Sequence, residues 1–292
     1  MIYLLAASLI WAFSFGLIKG TLTGLDSSFV SFVRMGISFV LFAPMMRIRH
    51  VPPRLLLKLA VMGGIQYGLM YLFYIYSYQF LPAYQVALFT VFTPLFVTLI
   101  DDAFERTFNP LFLGTALLAV AGAGIISWRE GALEPVLVGF LAVQASNLCF
   151  AFGQIYYKRL LRSQEIPEVR LFGIVYAGAF LVTAAFAGST VDFTALHLTA
   201  AQMLTLLYLG VIASGLAFFL WNVGARKTDS GALAVFNNLK IPLAVAVSML
   251  FFGERSDPLR LAAGGLIVVL ALVLNEFLMK RRLRSRPGTP DL

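Results

Sequence analysis

Apolar side chains dominate ten blocks of this chain, and each block is about as long as a helix that crosses a bilayer. A helix rises about 1.5 Å per residue, so about 20 residues span a hydrocarbon core about 30 Å thick. The blocks are apolar on every face, whereas membrane strands alternate apolar and polar residues, so we predict helices. The ten predicted spans are 2–20, 28–46, 57–80, 84–101, 110–127, 136–157, 171–188, 202–225, 230–252 and 258–278.

Composition and charge agree with this pattern. Of the 292 residues, 60% are hydrophobic and 12% are charged, which fits a multi-pass protein whose main partner is the lipid bilayer. With the N-terminus inside, 16 of the 22 Lys and Arg residues fall in inner loops or the tail, and 4 in outer loops. This asymmetry predicts that both termini are cytoplasmic in a bacterial inner membrane. It also explains the net charge of +8 without a nucleic-acid partner.

The chain lacks the residues that several kinds of chemistry require. The chain has one cysteine, Cys149, and its two histidines, His50 and His197, lie in predicted loops, so we predict no metal and no cofactor. A phosphate-binding loop motif is absent, which excludes an ATP-driven pump made of this chain alone. A membrane-embedded enzyme is a disfavoured alternative, because Lys240 and Ser248 are two helical turns apart.

Two stretches of the sequence repeat each other. At an offset of 148, residues 93–126 align with 241–274, so that Pro94 matches Pro242. Each copy holds five spans, and an odd number forces the second copy to enter the membrane from the opposite side. We therefore predict an all-α membrane protein of two inverted five-helix repeats around a central cavity. The predicted units are 1–130, 131–280 and a basic cytoplasmic tail, 281–292.

Each copy ends in a proline, a Glu-Arg loop and a Gly-rich last helix, and the first two spans read "IWAFSFGLIKG" and "FVRMGISFVLF". In these features the chain resembles the EamA-type drug/metabolite transporter superfamily. The string Trp221-Asn222-Val223-Gly224 resembles the aromatic amino-acid exporters of that superfamily, the YddG type. The resemblance implies a secondary transporter that works by alternating access, and it carries no catalytic motif.

The matched prolines, Pro94 and Pro242, predict helix breaks. Each proline removes a backbone donor from a carbonyl four residues earlier, at Thr90 and Asn238. Matched breaks point to a transport site, where irregular backbone lines a cavity, although a packed kink is the alternative. The neighbouring amides, Asn237 and Asn238, are further candidate ligands.

Two stripes of polar side chains and one tryptophan are candidate cavity walls. On the third span the tyrosines follow helical spacing, and on the sixth span the amides do. Packing between helices would explain either stripe equally well. The candidates are Tyr67, Tyr71, Tyr74, Tyr78, Gln144, Asn147, Gln154 and Trp11. Trp221 is interpreted as an anchor at the cytoplasmic membrane interface.

Two cations lie inside predicted spans, Arg34 and Lys240. Ionisable groups in a membrane are costly and indicate a functional site by default. For Arg34 we weigh a structural role between helices. For Lys240 a substrate carboxylate and a bond to backbone carbonyls are both open.

The cargo follows from these charges. We predict an exporter of aromatic or neutral amino acids, with Lys240 at the carboxylate. Because no mid-span position carries Asp or Glu, we predict a facilitator or exchanger, with titration of Lys240 as a weaker coupling option. The alternative is a carrier of phosphorylated or other anionic metabolites. The oligomeric state stays open, because Gly64 and Gly68 suit packing within a monomer or between subunits.

Overall fold

The computed structural model describes residues 2–49, 51–106, 111–127, 133–162, 164, 166–226, 230–254 and 257–284. The side chains of residues 225–239 lie outside that description. All helices and turns in these ranges belong to one helical bundle without a β-sheet, which confirms the predicted all-α class.

Ten helical stretches follow one another in the described ranges, close to the predicted spans. They are α1 (Ile2–Leu22), α2 (Ser27–Phe42), α3 (Pro53–Gly63, a π-helical turn at Gly64–Leu69, and Met70–Ser77), α4 (Ala83–Phe89, a 3-10 turn at Thr90–Phe92, and Thr93–Phe104), α5 (Leu111–Ser127), α6 (Leu133–Leu160), α7 (Val169–Thr190), α8 (Ala200–Tyr208, a π-helical turn at Leu209–Leu216, and Ala217–Arg226), α9 (Ser230–Phe251) and α10 (Pro258–Arg284).

Seven of these stretches, α1–α4 and α6–α8, are long and apolar enough to cross a membrane. Shorter apolar helices cover Lys240–Phe251 and Pro258–Ala271. Large apolar side chains point away from the bundle, including Leu204, which is 68% exposed, and Leu181, which is 66% exposed. Such a surface is stable against lipid and costly against water.

The two halves of the chain are interleaved. Helix α1 packs along α9 and α8, helix α2 packs along α7, and helix α5 packs along α10. Each of these contacts joins a helix before residue 130 to one after it. The buried core therefore forms between the halves, and a cavity at this interface is lined by both.

Glycines let α3 and α7 approach at backbone distance. A Cβ atom added at Gly63 would lie 1.9 Å from the carbonyl oxygen of Val175, and one added at Gly178 would lie 1.8 Å from that of Ala60. The sequence left open whether Gly64 and Gly68 pack within the chain or between subunits. Both face α7 of the same chain, so these small residues serve packing inside the monomer.

A π-helical turn widens α3 and α8, the third helix of each half. Such turns leave backbone carbonyls without their usual helical partner and occur often at functional sites. In α8 those carbonyls accept hydrogen bonds from neighbouring helices. The Trp11 indole donates to the Ala213 carbonyl at 2.9 Å, and the Ser38 hydroxyl donates to the Gly210 carbonyl at 2.8 Å. The widened turn therefore ties α8 to α1 and α2.

The start of α4 is capped from the other half of the chain. The Glu254 carboxylate, after α9, accepts hydrogen bonds from the backbone amides of Ala83 at 2.7 Å and Tyr84 at 2.9 Å. A carboxylate is favourable at a helix N-terminus, where amides lack intrahelical partners. Nearby, the Lys19 ammonium donates to the Tyr78 carbonyl at 2.7 Å. These bonds hold α1, α3, α4 and the α9–α10 connection together at one end of the bundle.

Candidate functional site

A cavity lies midway along the helices, between α1–α4 and α6, α8 and α9. It encloses about 550 Å³ of space between atoms, counted with its opening. Aromatic side chains make up much of its wall: Trp11, Phe15, Tyr71, Tyr74, Phe150 and Phe218. Trp11, which the sequence singled out, therefore lines the cavity.

The Trp11 ring is held in place by its neighbours. Its centroid lies 4.8 Å from that of Phe218 and 5.1 Å from that of Trp221, both on α8. Trp221 is only 1% exposed, so its interpretation as an interfacial anchor was wrong. Sequence position near a helix end favoured the interface, but the close approach of α1 and α8 buries this ring behind Trp11.

Both intramembrane cations, Arg34 and Lys240, line this cavity, and their exposed fractions are 1% and 6%. Among the described residues no Asp or Glu lines it. The acidic residues Asp101 and Glu105 instead pair with Arg159 at an exposed end of the bundle, at 3.0 and 2.5 Å. The cavity is therefore a cationic site with aromatic walls, which suits an anionic ligand with apolar parts.

Arg34 is fixed by groups from two other helices. Its Nε and one terminal nitrogen, Nη2, donate to the Ser214 hydroxyl at 3.1 and 3.0 Å, and Nη2 donates to the Tyr71 hydroxyl at 2.8 Å. The guanidinium carbon lies 4.2 Å from the centroid of the Tyr71 ring. Arg34 thus has the structural role that the sequence weighed, and it also faces the cavity.

Lys240 lies across the cavity wall on α9. Its ammonium nitrogen is 5.3 Å from the centroid of the Trp11 ring and 5.7 Å from that of Phe150. Both rings are close enough for a cation–π interaction. The role of Lys240 as a carboxylate ligand stays a prediction.

Helix α4 breaks beside the cavity, as Pro94 predicted. The chain forms a 3-10 turn at Thr90–Phe92, and the Thr93 hydroxyl donates to the Thr90 carbonyl at 2.7 Å. Because Pro94 has no N–H to offer, the Thr90 carbonyl accepts instead from both the backbone N–H and the hydroxyl of Thr93. The Asn147 amide bridges the same break from α6, donating to the Phe89 carbonyl at 2.8 Å. Thr90, Thr93 and Asn147 all line the cavity.

The tyrosine stripe of α3 only partly reaches the cavity. Tyr71 and Tyr74 line it, whereas Tyr67 and Tyr78 lie beyond its two ends. Tyr67 accepts a hydrogen bond from the Asn222 amide at 3.0 Å, and the Tyr78 hydroxyl lies 2.7 Å from that of Tyr74. The outer tyrosines therefore make packing contacts in this structure and do not reach the cavity, and their role in substrate binding stays a prediction.

The remaining predicted residues separate into two groups. Gln144 and Gln154 are partly buried on α6 and are absent from the described lining. Pro242 lies inside α9, which runs from Ser230 to Phe251, so the second predicted helix break is not there; a proline removes one helical bond and the helix continues past it. The side chains of Asn237 and Asn238 lie outside the described residues.

Sequence reasoning missed several lining or supporting groups, namely Phe150, Phe218, Ser146 and Ser214. Phe150 had a usable signal, because it lies three residues after Asn147 and so on the same face of the sixth span as the amide stripe. Ser214 had none, since its contact with Arg34 depends on the widened turn of α8.

Comparison with known protein families identifies the family of this chain. The profile of the EamA-like transporter family matches residues 1–128 and again residues 137–276. This chain belongs to the EamA-like transporter family. It is accordingly a multi-pass membrane protein of a transporter family, as its resemblance implied.

Similar proteins differ in what their names say they carry. The chain is 38% identical to a probable biotin transporter of Pseudomonas aeruginosa over 98% of its own length and 100% of that protein. It is 35% identical to a biotin transporter of Salmonella typhimurium, covering 93% and 91%. A probable terminal-alkyne amino-acid exporter of Streptantibioticus cattleyicolor is 23% identical, covering 95% and 94%.

A crystal structure of another protein has the same fold. It superposes with a TM-score of 0.67 over 97% of this chain and 98% of that one, at 19% sequence identity. At this identity the likeness concerns the fold alone.

Proposed function

We propose that this protein carries biotin across a bacterial inner membrane, with the substrate bound in the cavity between its two halves. Two relatives that are 38% and 35% identical over more than nine-tenths of the chain are named as biotin transporters, one of them as probable. The sequence alone favoured amino-acid export, but the relative named as a probable amino-acid exporter is much less similar to this chain, at 23% identity.

The observation that carries the proposal is a buried cavity with two cations, aromatic walls and no described acidic residue. Biotin is a monocarboxylate, and its fused rings and aliphatic chain are largely apolar. A cation in the wall neutralises the carboxylate, and the rings of Trp11 and Phe218 offer flat apolar surface to the rest. Biotin is also an anionic metabolite, the broader class that the sequence kept as its alternative.

Amino-acid export is the second candidate, supported by the distant relative and by the Trp221-Asn222-Val223-Gly224 string. A zwitterion brings an ammonium group as well as a carboxylate. In the described lining the ammonium would find rings and hydroxyls but no carboxylate. The geometry therefore favours a monoanion over a zwitterion.

The proposed mechanism is alternating access between two inverted five-helix units with ten membrane spans and cytoplasmic termini. The two family matches, at 1–128 and 137–276, support the division. The π-helical turns in the third helix of each half support the repeat. Without a described carboxylate in the cavity to take up a proton, we infer a facilitator or exchanger whose direction follows the gradient.

Counterflow in proteoliposomes tests the proposed cargo. Vesicles loaded with unlabelled biotin should accumulate labelled biotin when they contain the protein and not when they lack it. Phenylalanine, a nucleotide sugar and a quaternary ammonium compound serve as competitors. Exchange of labelled phenylalanine without exchange of biotin would replace the first candidate by the second.

A further inference from the structure

Arg34 is a buried cation with an unused pair of donors. The atom Nη1 has no hydrogen-bond partner among the described residues, whereas Nε and Nη2 are bonded to Ser214 and Tyr71. A buried donor without a partner is costly, and a buried charge without a counter-charge costs more. The side chain is 1% exposed and lines the cavity, so water in bulk does not compensate this cost.

Among the described residues, none supplies a counter-charge to Arg34. In the described part of the chain, the ion pairs join Arg159 to Asp101 and Glu105, and Arg260 to Asp257. The groups that touch the guanidinium, the hydroxyls of Ser214 and Tyr71 and the Tyr71 ring, are all neutral. A ligand in the cavity is therefore left to supply the negative charge.

The guanidinium is also held in a single orientation. Ser214 on α8 and Tyr71 on α3 bind one edge, and their hydroxyls lie 3.0 Å from each other. Because Nε and Nη2 are occupied, Nη1 is the donor that remains for a ligand; it is buried in this conformation, so a side chain of the cavity wall must move for a carboxylate to reach it. A planar donor that is fixed beforehand loses little entropy when a carboxylate binds, unlike the flexible stem of a lysine.

We propose that Arg34, through Nη1, is the residue that recognises the carboxylate of the transported substrate, and that Ser214 and Tyr71 position it for this contact. The sequence assigned the carboxylate to Lys240, whose ammonium lies over the rings of Trp11 and Phe150. The proposal rests on the proposed function only for the identity of the cargo, since any carboxylate in the cavity would meet the same donor.

The test compares biotin with biotinamide, which keeps the rings and the chain but lacks the charge. Apparent affinities come from thermal stabilisation of the full-length purified protein by each compound, since a ligand stabilises the folded state that it binds. We expect the wild type to prefer the acid by about 10- to 100-fold, the range for a hydrogen bond to a charged group. The ratio of the two affinities does not depend on the amount of folded protein.

In Arg34→Gln the preference should fall to about twofold or less, while Lys240→Gln should weaken binding of both compounds and keep a preference. If Arg34→Gln keeps the wild-type preference, the proposal is overturned. Loss of the preference in Lys240→Gln with its retention in Arg34→Gln would place the carboxylate on the lysine and overturn it equally.

A second pair of variants decides the matter if Arg34→Gln does not fold. Ser214→Ala removes a hydroxyl that positions Arg34, and we expect the preference to fall several-fold. Ser38→Ala is its matched control, because Ser38 bonds the Gly210 carbonyl of the same α8 turn and does not touch Arg34. An equal preference in both serine variants overturns the proposal.

A different result of the same experiment would show that the biotin proposal is wrong. If neither biotin nor biotinamide stabilises the wild type, biotin is not the cargo. The same comparison is then made with phenylalanine and phenylalaninamide, and the Arg34→Gln ratio decides the proposal by the same rule.

Discussion

Replacing Gly178 by alanine should separate two helices that now touch through their backbones. The new Cβ atom would lie 1.8 Å from the Ala60 carbonyl oxygen on α3, whereas ordinary contact begins at 3.4 Å, so the helices must part by about 1.6 Å. The obstacle is a backbone atom, which cannot rotate away. Overpacking of this kind costs about 1–3 kcal/mol or more, which outweighs the gain of about 1 kcal/mol that alanine brings to a helix.

The shift should also reach the cavity. Helix α3 carries Tyr71, whose hydroxyl lies 2.8 Å from Nη2 of Arg34, and a displacement of more than 1 Å breaks a hydrogen bond of this length. We therefore expect Gly178→Ala to weaken substrate binding as well as the fold.

The assay is thermal unfolding of the purified protein at one fixed scan rate, with counterflow as the second measurement. With a cost of about 3 kcal/mol, the upper end for a clash with backbone, less the helix gain of about 1 kcal/mol, Gly178→Ala should lower the apparent Tm by about 4–8 °C, given about 2–4 °C per kcal/mol for chains of moderate size. Gly188→Ala is the matched control on the same helix, because a Cβ atom there has nothing within 4 Å. If both variants unfold at the wild-type temperature, α3 and α7 are not packed as closely as these distances indicate, and the prediction is refuted.

Two further predictions concern the start of α4 and the break within it. In Glu254→Gln the cap on the Ala83 and Tyr84 amides loses its charge and one acceptor, so the free energy of unfolding should fall by about 1–2 kcal/mol; thermal unfolding at the wild-type Tm would contradict this. Thr93→Val removes the hydroxyl that shares the Thr90 carbonyl with the Thr93 backbone N–H beside Pro94 and should lower the free energy of unfolding by about 0.5–1.5 kcal/mol, the net value of one hydrogen bond. Thr183→Val is its control, because that hydroxyl bonds a carbonyl within an uninterrupted helix, and equal losses in the two variants would refute the role of the proline.

The helices and the α4 break were predictable because their causes are local. A run of about 20 apolar residues is a property of the sequence itself, and the described helices follow the predicted spans closely. Pro94 lacks an N–H in any fold, so an interruption of α4 before it could be predicted, although the matched Pro242 leaves α9 unbroken and packing therefore decides whether such a turn forms. The two intramembrane cations could also be identified from the sequence, because a charged residue within an apolar run is recognisable without knowledge of its contacts.

Which side chains reach the cavity was decided by tertiary structure. The bonds of Arg34 to Ser214 span 180 positions of the chain, and no helical period relates residues so far apart. Their contact depends on how α2 and α8 are rotated against each other and on the widened turn that holds Ser214. The burial of Trp221 against Trp11 likewise depends on the approach of α1 and α8.

The sequence by itself therefore determined the helical class, the approximate helix limits, the α4 break and the presence of two cations in the membrane. Tertiary structure determined that these cations share one cavity, that only Tyr71 and Tyr74 of the stripe line it, and that Nη1 of Arg34 has no hydrogen-bond partner among the described residues. The physical reason is that periodicity and residue type report a side chain's own preferences. Its partners are set by the packing of helices that are distant in sequence.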